Sequence, residues 1–249
     1  MHRFYAPALD PGDESVSLPR DEAEHLARVL RIGVGDTVSV FDGRGHEFLA
    51  RVTLASARDA RLTLLSRVEP IAEPTVRVTL AQAVLKGDRM DDVIRDAVML
   101  GVAAIQPLVT RRTETTVAAI VRGARVERWK RVALASVKQC ARAVLPEVCT
   151  PLTLETYLDE PGPAARLMLV EPGAHADVET LGALRREPTP SEAAVWVGPE
   201  GGWDELEWTA ARARGARLIS LGPRILRADA VPVAVMSVLA FMWEPDGRL

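Results

Sequence analysis

Hydrophobic and polar positions change their rhythm about a quarter of the way along the chain. Up to residue 70 the apolar residues fall in short β-rich runs, Thr37–Phe41, Glu47–Leu54 and Ala60–Val68. Turn-like stretches separate them, Asp42-Gly43 with Gly45 and then Ser56–Asp59. One helix precedes these runs, about Asp21 to Arg31, with Asp21 as a cap and Leu26, Val29 and Leu30 as its apolar face. Residues 1–70 therefore read as a small β-barrel-like domain with one helix.

Arg67-Val-Glu-Pro-Ile-Ala-Glu-Pro74 carries two prolines and two acids in eight residues and reads as a linker. Beyond it, residues 74–249, strand-like runs alternate with helical segments. The strands are Val76–Leu85, Ala103–Pro107, Arg166–Val170, Ala193–Val197 and Ala216–Leu221. The helices are about Asp88–Leu100, Ala124–Ala141, Asp177–Arg185, Asp204–Arg214 and Val231–Trp243. This alternation predicts an α/β domain with a mainly parallel sheet. Asp88 and Asp204 stand at N-cap positions, and Gly101 and Gly215 at C-cap positions.

A chain of 249 residues with 48% hydrophobic content can bury a core without disulfides or metals. Cys140 and Cys149 form no Cys-x-x-Cys pair, and His2, His25, His46 and His175 lack metal-ligand spacing, so no metal site is expected. The N-terminus shows no apolar signal stretch, and Val231–Trp243 is too short for a membrane span. A soluble, cytoplasmic protein is expected. The net charge of −3 hides a basic stretch: Arg111 to Arg142 holds nine Arg or Lys against two acids, a local charge of +7.

Candidate chemistry gathers in three loops that follow three strands: Leu169-Val-Glu171-Pro-Gly173, Gly198-Pro-Glu200-Gly-Gly202 and Leu221-Gly-Pro-Arg224-Ile-Leu-Arg227. In an open parallel sheet, ligands collect at the carboxyl ends of strands. No dinucleotide fingerprint, phosphate loop or nucleophile elbow is present. On the helix Ala124–Ala141, Arg128, Arg131 and Lys138 share one face, and Arg142 continues it just past the end. That stripe is either an ordinary solvated face or a phosphate-contacting surface.

An ordered set of motifs then resembles one family along essentially the whole chain. The set runs from Arg3-Phe-Tyr5, His25-Leu-Ala-Arg-Val-Leu-Arg31 and Lys86-Gly-Asp-Arg-Met-Asp91 through Gln139-Cys-Ala-Arg142. It ends with Gly198-Pro-Glu-Gly-Gly202, Glu207 and Leu221-Gly-Pro-Arg-Ile-Leu-Arg227. It resembles the bacterial 16S rRNA uracil-N3 methyltransferases (the RsmE family), a branch of the knotted SPOUT methyltransferases. The resemblance implies a PUA-like RNA-binding barrel followed by a knotted methyltransferase domain. It also implies a homodimer and an S-adenosylmethionine pocket, with a uridine of 16S rRNA near the decoding site, or the small ribosomal subunit, as substrate. On this resemblance the cofactor residues are Leu169, Glu171, Gly198, Glu200, Gly201, Gly202, Leu221, Gly222 and Leu226. RNA contact falls to Arg3, His25, Arg28, Arg31, Arg112, Arg128, Arg131 and Lys138. The chain departs from the family pattern at Met99, Lys138, Ala141, Ala143 and the segment Ala228-Asp229-Ala230.

Removing the N3 proton of uracil needs an acceptor, and the resulting anionic ring needs a cation. Arg227 is assigned to the ring charge and Arg142 to holding RNA. Asp229 is either the base, directly or through water, or the cap of the last helix. Two other classes stay open. One is a non-catalytic RNA-binding ribosome-assembly factor on the same fold, suggested by the altered 228–230 segment. The other is a nucleotide-cofactor enzyme acting on a small molecule, against which the basic stripe and the separate first domain speak.

Overall fold

The structure, a computed structural model, describes residues 1–244, so the last five residues of the domain expected over 74–249 lie outside the described residues. The chain divides into two units, 1–73 together with 137–145, and 74–136 together with 146 onwards. The nine-residue return to the first unit is absent from the division drawn at the proline linker.

In the first unit, β1 (Arg3–Tyr5), β2 (Ser15–Ser17), α1 (Arg20–Glu24), β3 (Thr37–Phe41), β4 (Glu47–Ala55) and β5 (Ala60–Val68) follow in order. The strands form one sheet, β1-β3-β4-β5-β2, curled into a half-barrel. Register shifts between β4 and β5, at Leu49/Ala50 and Val52/Leu54, supply the bend that curling requires. Phe4, Leu9, Leu26, Val40 and Leu62 are fully buried inside it. The helix expected over 21–31 is shorter and wider. After α1 it continues as a π-helix, His25–Val29, closed by Leu30 N–H on the His25 carbonyl at 3.0 Å. The wider turn keeps Leu26 in the core and leaves Val29 exposed.

Segment 137–145 is fastened to this unit by polar bonds. Arg3 donates to the carbonyls of Val137 and Arg142, each at 2.9 Å, and of Lys138 at 3.2 Å. Leu145 N–H meets the Gly43 carbonyl at 2.9 Å, and Gly45 N–H meets the Ala143 carbonyl at 3.1 Å.

The second unit begins with β6 (Arg77–Ala83), α2 (Arg89–Met99), β7 (Ala104–Val109), α3 (Val117–Arg122) and α4 (Arg125–Cys140). Then come β8 (Glu147–Val148), β9 (Leu152–Thr153), α5 (Leu154–Asp159), β10 (Ala165–Leu169) and β11 (Glu179–Thr180). The last elements are β12 (Glu192–Val197), α6 (Glu205–Ala213), β13 (Arg217–Ser220) and α7 (Ala230–Trp243). The helix expected over 177–185 is instead a 3₁₀ turn, Leu181–Arg186, burying only Leu181 and Leu184. The sheet runs β11-β13-β10-β12-β6-β7-β8, and every pairing in it is parallel. In its central strands Leu167–Leu169 of β10 and Ala193–Val197 of β12 are buried, as befits strands covered on both faces.

Caps set the helix boundaries. Asp204 and Glu207 form a reciprocal capping box at the start of α6, and Gly101 and Gly215 end α2 and α6 with φ of +84° and +81°. Asp88 makes no cap bond and pairs with Arg128 instead. On α7, Pro232, Val235, Met236, Leu239 and Trp243 are buried, and α2 packs against the helix. Val238 and Phe241 stay 39% and 67% exposed, so the helix that is apolar all round is only half covered.

Candidate functional site

Strand β10 lies between β12 and β13, and all three point the same way, so their carboxyl ends open at one edge of the sheet. The three connections that follow them, 170–174, 198–204 and 221–228, therefore meet. Together they line a cavity of about 520 Å³. That volume lies within the range of ligand sites, about 300–1,000 Å³. Leu169, Glu171, Gly198, Glu200, Gly201, Gly202, Leu221, Leu226 and Arg227 all line it. Gly222 does not, and its φ of +118° shapes the turn behind the wall.

The middle connection is the most constrained. Gly202 has a φ of +69°, and its N–H closes a turn on the Pro199 carbonyl at 2.9 Å. A Cβ on Gly198 would stand 3.2 Å from the Trp203 ring, a close approach that glycine makes without displacing the indole. Trp203 itself donates Nε1–H to the Leu169 carbonyl at 2.8 Å, in a buried bond that ties the first connection to the second. Glu200 accepts from the Lys86 N–H and from Arg89 Nη1, each at 3.0 Å. Two carboxylates on the wall, Glu171 and Glu200, give the cavity acceptor character, and Leu169, Leu221, Leu226 and Trp208 give it apolar surface. A flat base fits the apolar part of that wall, and a ligand bearing both charges fits the rest, since Arg89, Arg112, Arg224 and Arg227 stand there beside the two carboxylates.

Arg89, Trp203, Trp208 and Arg224 also line the cavity, and the sequence motifs did not assign them a role. Arg89 stands inside the Lys86–Asp91 motif, which was the available signal. Arg112 joins the wall and donates Nη1 to the Gly201 carbonyl at 2.8 Å, so it holds the 198–204 loop. Asp229 is absent from the wall. It stands at the N-cap of α7 without capping it and pairs instead with Arg227.

Several cations expected on RNA are engaged inside the protein. Arg3, with 11% of its side chain exposed, grips Glu47 through Nε at 2.9 Å and Nη2 at 2.7 Å besides its three carbonyl bonds. Ser39 also bonds Glu47. Burial opposes ionisation of Glu47, but the Arg3 and Ser39 bonds and the Arg3 charge outweigh it and hold its pKa below the usual value. Lys138 pairs with the buried Glu22. Arg142, 5% exposed, pairs with Glu73, including a 3.0 Å bond from Nε, and does not line the cavity. Arg128 lies between Asp88 at 2.9 Å and Asp91 at 2.6 Å. The stripe of Arg128, Arg131, Lys138 and Arg142 is thus largely neutralised by acids from other segments. Arg131 remains exposed and without an ion pair among the described residues. His25, Arg28 and Arg31 are exposed on the first unit, Arg28 pairing with Glu24 one turn back.

The comparisons agree with this layout. The model of an RNA methyltransferase domain matches residues 72–240, and that of an RNA methyltransferase PUA domain matches 18–65. The ribosomal RNA small subunit methyltransferase E of Synechocystis sp. is 33% identical over 93% of this chain and 75% of its own length. The Neisseria gonorrhoeae ribosomal RNA small subunit methyltransferase E, solved bound to S-adenosyl methionine, superposes with a TM-score of 0.85. It is 31% identical, and 98% of each chain is covered. A Legionella pneumophila protein solved with the cofactor SAM has the same TM-score of 0.85 at 29% identity, covering 95% of this chain and 96% of its own. Two matched domains in this order, and a relative of this identity over nearly the whole chain, place the protein in the ribosomal RNA small subunit methyltransferase E family.

Proposed function

We propose that the chain methylates N3 of a uridine in 16S rRNA near the decoding site, with S-adenosylmethionine as donor, as a cytoplasmic homodimer. One observation carries the reading: three glycine-bearing loops from adjacent parallel strands close a single cavity with carboxylates and apolar walls. When bound, S-adenosylmethionine supplies an electrophilic methyl group on a sulfonium. Glu171 offers a carboxylate to the cationic groups of the ligand, while Glu200 is held by Arg89, and Leu169, Leu221 and Leu226 give apolar cover to its base. Gly198, Gly201 and Gly202 let the backbone approach closely. Arg227, on the wall, offers a counter-charge to an anionic uracil ring. Asp229, beside it, takes the N3 proton directly or through water. Proximity of nucleophile and methyl provides much of the acceleration.

RNA is received by the exposed His25, Arg28 and Arg31 of the first unit and by Arg131 and Arg112 of the second. The exposed Val238 and Phe241 on α7 are the surface for the second copy. The deciding measurement is nucleoside mass spectrometry of 16S rRNA from cells with and without the gene, joined to in vitro methylation of naked rRNA and of assembled subunits. Loss of 3-methyluridine with the gene, restored by the recombinant chain, is expected. An unchanged nucleoside profile, with no methyl incorporation in vitro, would overturn the reading. Sedimentation as a monomer at micromolar concentration would remove the homodimer.

A further inference from the structure

We propose that Glu207 is a positioning residue that, with Arg112, braces the 198–204 loop and thereby sets affinity for S-adenosylmethionine. The proposal rests on the cofactor reading of the cavity. Glu207 is 3% exposed and does not line the cavity, so its effect must pass through other groups. Its two carboxylate oxygens serve two different connections. Oε2 accepts the Asp204 N–H at 2.8 Å, which is the helix-capping half. Oε1 accepts the Arg111 N–H at 2.7 Å, from the turn that follows β7, 96 residues earlier. That second bond does nothing for α6. A Glu at this capping position needs only one of its oxygens for the helix.

The turn it reaches is itself well built. Thr110 N–H donates to the Thr113 hydroxyl at 3.2 Å, and the two hydroxyls lie 2.8 Å apart. From the next position Arg112 comes back to the same loop. Nη1 donates to the Gly201 carbonyl at 2.8 Å, and Nη2 stands 3.8 Å from the Asp204 carboxylate. Its aliphatic stem fills the space beside Gly201, where an added Cβ would meet Arg112 Cβ at 3.3 Å. The loop is thus gripped at Gly201 by Arg112 and at Asp204 by Glu207, and the turn 110–113 supplies the first grip and anchors the second through the Arg111 N–H.

A glycine-rich loop needs such grips. It has few side chains to pack, and glycine loses more backbone freedom on ordering than any other residue. Holding the Gly201 carbonyl and the Asp204 amide fixes the loop between them before a ligand arrives. Without the brace, ordering is charged to ligand binding, and affinity falls. The chemical step, which the brace does not touch, stays the same once the site is saturated.

Four variants test this by calorimetry and steady-state kinetics on the full chain. Glu207→Ala should raise the Kd and KM for S-adenosylmethionine about tenfold and leave kcat within about twofold. Glu207→Gln, which keeps one good acceptor, should fall between wild type and Glu207→Ala. Arg112→Ala should weaken cofactor binding as well. Ala210→Gly weakens the same helix without touching the brace, so it should lower Tm and leave Kd unchanged. If Glu207→Ala does not fold, Glu207→Gln and Arg112→Ala carry the test. Wild-type affinity in the Glu207 variants that fold and in Arg112→Ala, with a Tm loss like that of Ala210→Gly, overturns the brace and leaves Glu207 a helix cap. Absence of S-adenosylmethionine binding by the wild-type protein would instead overturn the cofactor reading, and the brace with it.

Discussion

Arg227 and Asp229 face each other through two hydrogen bonds, Nε to Oδ1 at 3.1 Å and Nη2 to Oδ2 at 2.7 Å, just before α7. The pair places a fixed cation on the cavity wall and a carboxylate directly behind it. Arg227→Ala should cut single-turnover methylation by about 10²–10³ while S-adenosylmethionine affinity changes little. Asp229→Asn should lower the rate by about 10²–10⁴ and recover in part at high pH, where the ring ionises unaided. A wild-type rate for Asp229→Asn at neutral pH would leave the carboxylate as a mere holder of Arg227.

Gly202 is the position at which the 198–204 loop tolerates least. Its φ of +69° costs an L-residue about 1–2 kcal/mol, and an added Cβ would stand 3.6 Å from Glu171 Oε1. Gly202→Ala should weaken S-adenosylmethionine binding by about tenfold or more and lower Tm by only a few degrees. Gly201 is different: its backbone is not left-handed, and a valine there would fail by crowding the Arg112 stem. Undiminished affinity in Gly202→Ala would show that the loop does not shape the site.

How much of this was legible in the sequence differs from element to element. The three loops announce themselves, because Gly and Pro must mark sharp turns between apolar runs. That β10 lies between β12 and β13 is not legible, since neighbours in a parallel sheet are separated by whole crossovers. The ion pairs of the basic stripe were not legible for a related reason. A helix face is read against its own residues, whereas Asp88, Asp91, Glu22 and Glu73 come from other segments. Glu207 stood in a motif, but its second bond, to a turn 96 residues away, has no local signature.

Ala141 occupies the left-handed region, with φ of +65°, just after α4 ends at Cys140. That is the position where helices favour glycine. Ala141→Gly should therefore stabilise the protein by about 0.5–1 kcal/mol, raising Tm by ~1–4 °C. A lower Tm would mean that the methyl group makes contacts worth more than the strain.

Acid should loosen the first unit early. Asp42 and Glu47 both have folded pKa values below their ordinary ones. For Asp42, burial opposes the ionised form, but the His46 bond, the Arg44 and His46 amides and the Arg44 charge outweigh it. A carboxylate held down in the fold stabilises it above the unfolded pKa, and that stability is lost as pH falls through the folded value. Urea titrations should therefore show a steep loss below about pH 4. Glu47→Gln should flatten that slope and, by stranding the buried Arg3, cost about 3–5 kcal/mol at neutral pH. An equal acid slope in the variant would remove Glu47 from the account.

Because residues 137–145 complete the first unit, synthesis on the ribosome cannot finish that unit when its strands have emerged. Arg3 waits with three carbonyl partners missing until Val137, Lys138 and Arg142 leave the exit tunnel. By then β6, α2, β7 and α3 have been made. An N-terminal fragment cut at the proline linker lacks those partners for good and should expose a buried guanidinium half-satisfied. The first unit is thus not a detachable bead, and its maturation is timed by a stretch of chain that lies, in sequence, inside the second.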